Sequence, residues 1–203
     1  MRSDPSISAA VAHFWCIGWV LALAVVLLGC ASEGSIKRMR EVPAHNTVVT
    51  PQEGKALIVF VRPVDQLYAV QASVFHLTTG DPELVGILAA KTGVAYQTGP
   101  DKHLFMSVRF GARTEFMTAD LRPNKMYYVM LKMSDYSSLY LDPVRPAGTT
   151  ADNLQRLLKN SRQVEKTFES QDWALENMAN IRARASTYHQ NGSTPHLQPD
   201  DGW

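Results

Sequence analysis

The feature that most constrains this chain is a repeated rhythm between about Glu53 and Pro146. Short apolar runs recur there, each closed by turn chemistry, with no helix-length segment between them. Lys55–Arg62 reads Lys-Ala-Leu-Ile-Val-Phe-Val-Arg and stops at Pro63. It is apolar on both faces, as a strand covered on both sides would be. Val70–Leu77 follows, then the Thr78-Thr79-Gly80-Asp81-Pro82 turn. Leu84–Ala90, the Lys91-Thr92-Gly93 connection, Val94–Gln97 and the Gly99-Pro100-Asp101 turn continue the series. His103–Phe110 alternates, with Leu104, Met106, Val108 and Phe110 on one face and His103, Ser107 and Arg109 on the other. Phe105 interrupts that polar face, so something must cover part of it. Thr114–Leu121, Met126–Met133 and Ser138–Leu141 complete the set. Parallel crossovers need a dozen or more residues, usually a helix, and none is available. The expectation is a mainly β fold, an antiparallel β-sandwich of about seven or eight short strands over residues 53–146.

The period then changes. Thr149 or Thr150 is placed to cap a helix starting near Ala151, with Leu154, Leu157 and Leu158 on one face. Asn160-Ser161 would break or bend it. Val164 and Phe168 extend the apolar stripe toward Ser170, a candidate cap for a second helix carrying Trp173, Ala174, Met178, Ile181 and Ala185. Residues 147–189 therefore read as a C-terminal α-helical pair that packs on the sheet, on itself or against a partner helix. Residues 190–203, rich in Asn, Gly, Ser, Pro and Asp, read as a disordered tail.

The N-terminus gives an address. Arg2 precedes an apolar stretch, Phe14 to Leu28, of signal-sequence length. Leu27, Gly29 and Cys30 set a branched apolar residue three before a cysteine and a small residue immediately before it. This pattern resembles the lipobox of bacterial lipoprotein signal peptides. The resemblance implies a signal peptide over residues 1–29, diacylglycerol transfer to the Cys30 thiol, cleavage before Cys30 and acylation of the new amine. Acyl chains anchor stably because each buried methylene contributes about 0.8 kcal/mol. Ala31, not aspartate, follows the cysteine, which resembles the sorting signal for the outer membrane, with the domain facing the periplasm. Two alternatives stay open. From Ile7 to Gly29 only Ser8 and His13 interrupt the apolar run, so an uncleaved helix would be long enough to cross about 30 Å of hydrocarbon. A soluble secreted product is the other. Residues 30–52 read as a tether, with a short basic cluster at Lys37, Arg38 and Arg40.

Composition narrows the function classes. The formal net charge of +1 over 203 residues gives no basic excess for a nucleic-acid partner. The two cysteines are Cys16, inside the apolar run, and Cys30. Cleavage would leave one thiol and no internal disulfide. The six histidines are scattered. His76 and His103 fall on or beside expected strands and are placed to meet across a sheet, while His189 and His196 lie near the end. No Cys or His pair has zinc-ligand spacing, so no metal or cofactor is expected. No Gly-x-Ser-x-Gly elbow or glycine-rich phosphate loop is present, and no catalytic residue is assigned. Asp120 and Asp142 sit beside turns. Tyr127, Tyr128, Tyr136 and Tyr140 cluster late in the β-region, as cross-strand packing or as a surface for stacking a ligand.

Three further pieces resemble an uncharacterised family of bacterial envelope lipoproteins, a domain of unknown function. They are Leu57-Ile58-Val59-Phe60-Val61-Arg62-Pro63, Pro100-Asp101-Lys102-His103, and Ala119-Asp120-Leu121 with Lys125-Met126-Tyr127-Tyr128-Val129. Asp101 and Asn124 stand where glycines are usual in that family. Asn tolerates the left-handed backbone, so its turn can survive. The resemblance implies a small β-sandwich in the cell envelope and no activity. The expected role is thus a lipid-anchored envelope protein with a non-catalytic module that binds or scaffolds an envelope protein partner. The alternative is a module for a glycan or small apolar molecule.

Overall fold

The computed structural model describes residues 38–44, 47, 50–63, 70–77, 80–109, 111–134, 138–189 and 194–203. The expected signal peptide and Cys30 lie outside the described residues. Among the described residues eleven strands form two sheets. In chain order they are β1 (Met39–Glu41), β2 (Ala56–Arg62), β3 (Ala72–His76), β4 (Glu83–Leu88), β5 (Thr92–Thr98), β6 (Lys102–Val108), β7 (Glu115–Asp120), β8 (Met126–Ser134), β9 (Ser138–Pro143), β10 (Arg162–Lys166) and β11 (His196–Leu197). Three α-helices of the described residues accompany them, α1 (Ala151–Lys159), α2 (Phe168–Glu176) and α3 (Met178–Ala185).

The first sheet runs β1-β10-β5-β2-β8-β9 and the second β11-β7-β6-β3-β4. Pairing is largely antiparallel, as the turn-rich sequence requires. Three pairs are parallel: β2 with β8, β10 with β5, and β11 with β7. The β2–β8 pair needs no crossover helix. The chain leaves β2, visits the second sheet through β3 and β4, returns for β5, visits it again through β6 and β7, and comes back as β8. Strands of the other sheet thus serve as the long connection.

Each of the eight apolar runs of the central region becomes a strand. The β2 run lies in the middle of its sheet, between β5 and β8, with six of its seven residues buried. Its Phe60 packs edge-on against Phe105 of the second sheet, centroids 5.2 Å apart. This contact fixes the direction of both sheets. Ile58 and Phe60 share the inner side with their register partners Tyr127 and Val129 of β8. Leu57, Val59 and Val61 point to the outer side, because successive strand residues alternate.

Strand β6 turns its more polar face inward. Phe105 packs on Phe60 between the sheets, so its neighbours of like parity, His103 and Ser107, also face inward. Leu104, Met106 and Val108 face outward, where α2 and α3 cover the second sheet. Phe75, the register partner of Met106, meets Trp173 of α2 at 6.5 Å. Ile181 of α3 is buried in the same cluster. Arg182 holds Asp81 with two 2.7 Å hydrogen bonds, and Arg184 donates to Ala112 O and Thr114 Oγ1, which pins α3 to the loops of that sheet. The requirement that Phe105 be covered is met by the opposite sheet, not by the helices.

Several boundaries move. The tether expected over residues 30–52 contains β1, whose Arg40 pairs with Glu165 of β10 at 2.6 Å. Three residues are too few for a strand period to be read. Val164 and Phe168 do not continue a helical stripe. Thr150 caps α1 as expected, but the helix ends at Lys159, and β10 follows with Val164 buried in the core. Thr167 then caps α2, and Ser170 completes a reciprocal capping box from the third helical position. Phe168 is left 84% exposed. Residues 194–203 are not a disordered tail. β11 pairs with β7, Leu197 is fully buried, and Trp203 N and O bond to Met126 O and N. Polar composition hid these contacts because most of them are made by backbone.

Two backbone positions follow their chemistry. Asn124 adopts φ 58°, and its Oδ1 accepts from Gly54 N at 2.8 Å. Gly86 of β4 lies against β5 so closely that a Cβ there would come within 2.7 Å of Val94 Cγ2. Replacing a strand glycine by alanine ordinarily stabilises, through the unfolded state. Here the sign reverses. Gly86→Ala is expected to destabilise by about 1–3 kcal/mol through overpacking, measured as a lower midpoint in denaturant unfolding.

Candidate functional site

Two features of the sandwich combine buried polar groups with shape. The first lies between the sheets. In β6 the inward parity of Phe105 carries His103 in the same direction, two residues nearer the β5–β6 turn. In β3 the register sets His76 opposite Phe105, so both histidines face the first sheet. The rings meet, His76 Nε2 lying 2.8 Å from His103 Nδ1. His103 Nε2 donates to Gly99 O at 3.0 Å, across to the turn that leaves the first sheet. On the far side His76 Nδ1 lies 2.9 Å from the hydroxyl of Tyr96 on β5. Tyr96 donates onward to Glu83 Oε2 at 2.9 Å. Glu83 stands opposite His76 in the β3–β4 register, and Lys166 of β10 approaches its other oxygen at 3.5 Å while donating to Leu84 O at 2.9 Å.

The row is packed on an aromatic layer. His76 stacks on Phe105 at 4.9 Å and 22°, and Tyr96 meets Phe105 edge-on. His76 is 4% exposed. Burial, helped by neighbouring His103 and opposed by Glu83, pushes its imidazole down from 6.5 to about 4. Burial also pushes the Tyr96 phenol up, with the Glu83 hydrogen bond acting in the same sense. The phenol therefore keeps its proton across the physiological range. Farther along the same inner face, Ser107 Oγ donates to Leu139 O of β9 at 2.7 Å. Chemically, the row can hold a proton and pass it between ring nitrogens and hydroxyl.

The second feature is a groove on the outer side of the first sheet, beneath α1. Met126 and Tyr128 of β8 form its floor with Leu154, Leu158 and Trp203. Gln155, Arg156 and Lys159 stand at its lip, and the cavity measures about 630 Å³. Among the described residues no acidic side chain lines it. Trp203 meets Tyr128 edge-on at 6.3 Å. Its indole Nε1 is buried with no hydrogen-bond partner, and a buried donor left unmade is costly.

The structure joins some of the residues that the sequence singled out and separates others. His76 and His103 meet, as their strand positions implied. The tyrosines do not form one surface. Tyr127 is fully buried between the sheets, its hydroxyl accepting from Arg122 N and donating to Pro199 O, whereas Tyr128 faces the groove. Tyr136 lies outside the described residues. Asp142 pairs with Lys132 across β8 and β9 at 2.5 Å, and His196 Nδ1 lies 2.8 Å from Thr118 Oγ1. Among the described residues no group of three or more His, Cys, Asp or Glu could hold a metal ion, and no helix is long and apolar enough to cross a membrane. Glu83, Tyr96 and Trp203 are the residues that sequence reasoning missed. Glu83 opening a strand opposite a histidine was the available signal, but only the register reveals it.

No family model matches this chain, and no curated protein matches it.

The His76 geometry has a pH consequence. Its folded value, about 4, lies below the ordinary 6.5. The neutral ring thus favours the folded state fully above pH 6.5, and this contribution falls away as the pH drops toward 4. The complete loss is on the order of 3 kcal/mol. In His76→Gln the decline of unfolding free energy between those pH values is expected to be shallower than in the unaltered chain. Equal slopes in parallel denaturant titrations would refute this assignment.

Proposed function

We propose that this chain is a lipid-anchored protein of the bacterial cell envelope, held at the outer membrane through acylated Cys30, whose β-sandwich is a non-catalytic module binding another envelope component. The groove beneath α1 carries the binding half of this reading. It has the apolar floor, the roughly ligand-sized volume and the few polar groups typical of small-molecule sites. Arg156 and Lys159 at the lip, with no acidic side chain among the described lining residues, favour an anionic head. The ligand class is a small amphiphile, an apolar body with an anionic group. The lipobox residues Leu27, Gly29 and Cys30 support the anchoring half.

Each half has its own test. Cys30→Ser is expected to lose palmitate labelling and to leave the membrane fraction or accumulate unprocessed. Labelling like that of the unaltered chain removes the anchor. For the groove, the full chain in mild detergent is irradiated with a photoactivatable medium-chain fatty acid. Adducts are expected on residues 151–159, Tyr128 and Trp203. The exposed pair of substitutions Arg156→Glu and Lys159→Glu should reduce them roughly tenfold, a loss of about 1.4 kcal/mol. Adducts spread over the whole surface, or unaffected by charge reversal, would count against the groove.

A further inference from the structure

We propose that the row Gly99–His103–His76–Tyr96–Glu83 is a binding site for a single proton, and that this proton latches the two sheets together. The inference follows from counting protons and is independent of the envelope reading. Four contacts of hydrogen-bond length join the five groups. Both ends only accept, since Gly99 contributes a carbonyl oxygen and Glu83 an ionised carboxylate. Every link therefore requires a proton from the three groups between. Neutral His103, neutral His76 and Tyr96 carry one each. Three protons cannot make four bonds.

One bound proton completes the row. Because Gly99 O must be donated to, His103 Nε2 carries a hydrogen. Because Glu83 must be donated to, the Tyr96 hydroxyl points at it and its oxygen accepts from His76 Nδ1–H. His76 Nε2 is then a bare lone pair, and the added proton sits on His103 Nδ1, directed at it. The low affinity of buried His76 for a second proton is consistent with this placement, and the half-exposed His103 is the ring better able to carry charge. A second proton on His76 would set two donors nose to nose and part the rings. The latch is thus complete with one proton and incomplete with none or two.

Two of the four links cross between sheets, His76 to Tyr96 and Tyr96 to Glu83, and a third ties His103 to Gly99 in the turn that leaves β5. Tyr96 and Lys166 also line a cleft of about 230 Å³ with Val85, Val94 and Val164. The ionisable and charged groups facing the histidines are few. β4 brings Glu83, β5 brings Tyr96, and β10 brings Lys166, already on Glu83 and Leu84 O. β2 contributes only Phe60 to the adjoining aromatic layer. In the turn, the Asp101 carboxylate accepts from Lys102 N.

Glu83→Gln tests the count. The new amide is nearly isosteric with the carboxylate but adds a donor at the end of the row. The chain can then run in the opposite direction, from that amide to Tyr96 oxygen, Tyr96 hydroxyl to His76 Nδ1, His76 Nε2–H to His103 Nδ1, and His103 Nε2–H to Gly99. No added proton is needed. The readout is imidazole ¹⁵N NMR on the full chain in detergent with ¹⁵N-labelled histidine, resonances assigned by single histidine replacements. In the unaltered chain the bound proton is expected as a second N–H on His103, with His76 neutral and protonated on Nδ1. In Glu83→Gln the His76 proton should move to Nε2, and the second N–H of His103 should be lost. Tyr96→Phe, which cuts the row to two links and two protons, should remove the second N–H of His103 in the same way. A generic loss of negative charge would weaken proton binding at the row without exchanging the His76 tautomer. Retention of Nδ1–H on His76 in Glu83→Gln, or a His103 neutral throughout in the unaltered chain, overturns the proposal.

Discussion

The structure depends on one constraint. Two histidines and a serine face inward between the sheets, and the opposite sheet must satisfy them. Desolvating a polar group without a partner costs roughly 1–3 kcal/mol, comparable to much of what one apolar side chain contributes. His76, His103 and Ser107 can face inward only because Tyr96, Gly99 O and Leu139 O wait there. These contacts specify how the layers sit, which the non-directional packing of Phe60, Phe105 and Val129 would leave looser. Sliding one sheet along the other by one residue would strand several polar atoms together.

The same constraint explains why β6 misleads a reader of sequence. Its alternation is correct, but parity alone does not say which face looks at the other sheet. Leu104, Met106 and Val108 form the more apolar side, and a two-layer sandwich would point it inward. The chain instead has a third layer, α2 and α3, which needs an apolar platform of its own. Phe105 was the clue, a large aromatic among polar neighbours. The eight central strands were legible because each combined a run of apolar residues with turn chemistry at its ends. β1, β10 and β11 were not. They have three, five and two residues respectively, and their pairing comes from distant backbone, Met39 with Lys166 and His196 with Thr118. The meeting of His76 and His103 was legible from strand positions. The Glu83 and Tyr96 partners depended on registers that no local pattern encodes.

The C-terminal residues carry a related lesson about composition. Gln198, Pro199, Asp200, Asp201 and Gly202 have almost no apolar surface to bury, yet this segment is held at both ends. Leu197 enters the core, Gln198 N donates to Asp201 Oδ2, and Gly202 has no Cβ to collide with the Tyr127 ring, which would lie 2.9 Å away. That close approach brings Trp203 beside Tyr128 and makes the groove a shared product of β8, α1 and the last residues. Disorder is a statement about how much ordering energy a segment can gather. Here the energy is gathered through backbone bonds to Met126 and Thr118.

The groove and the proton row use opposite sides of the first sheet. Tyr128 and Met126 look outward to α1, while Tyr96 and Phe60 look inward to the second sheet. The row ties the two sheets to each other, whereas α1 rests on the outer face through Leu154 and Leu158. A β-sheet is stiff along its hydrogen-bonded strands and soft between layers, where only side chains meet. Loss of the bound proton, or gain of a second, can therefore loosen the seam between layers while β2, β5 and β8 keep their registers and the groove keeps its floor. The strand that connects the two features is β2, central in its sheet and buried on both faces.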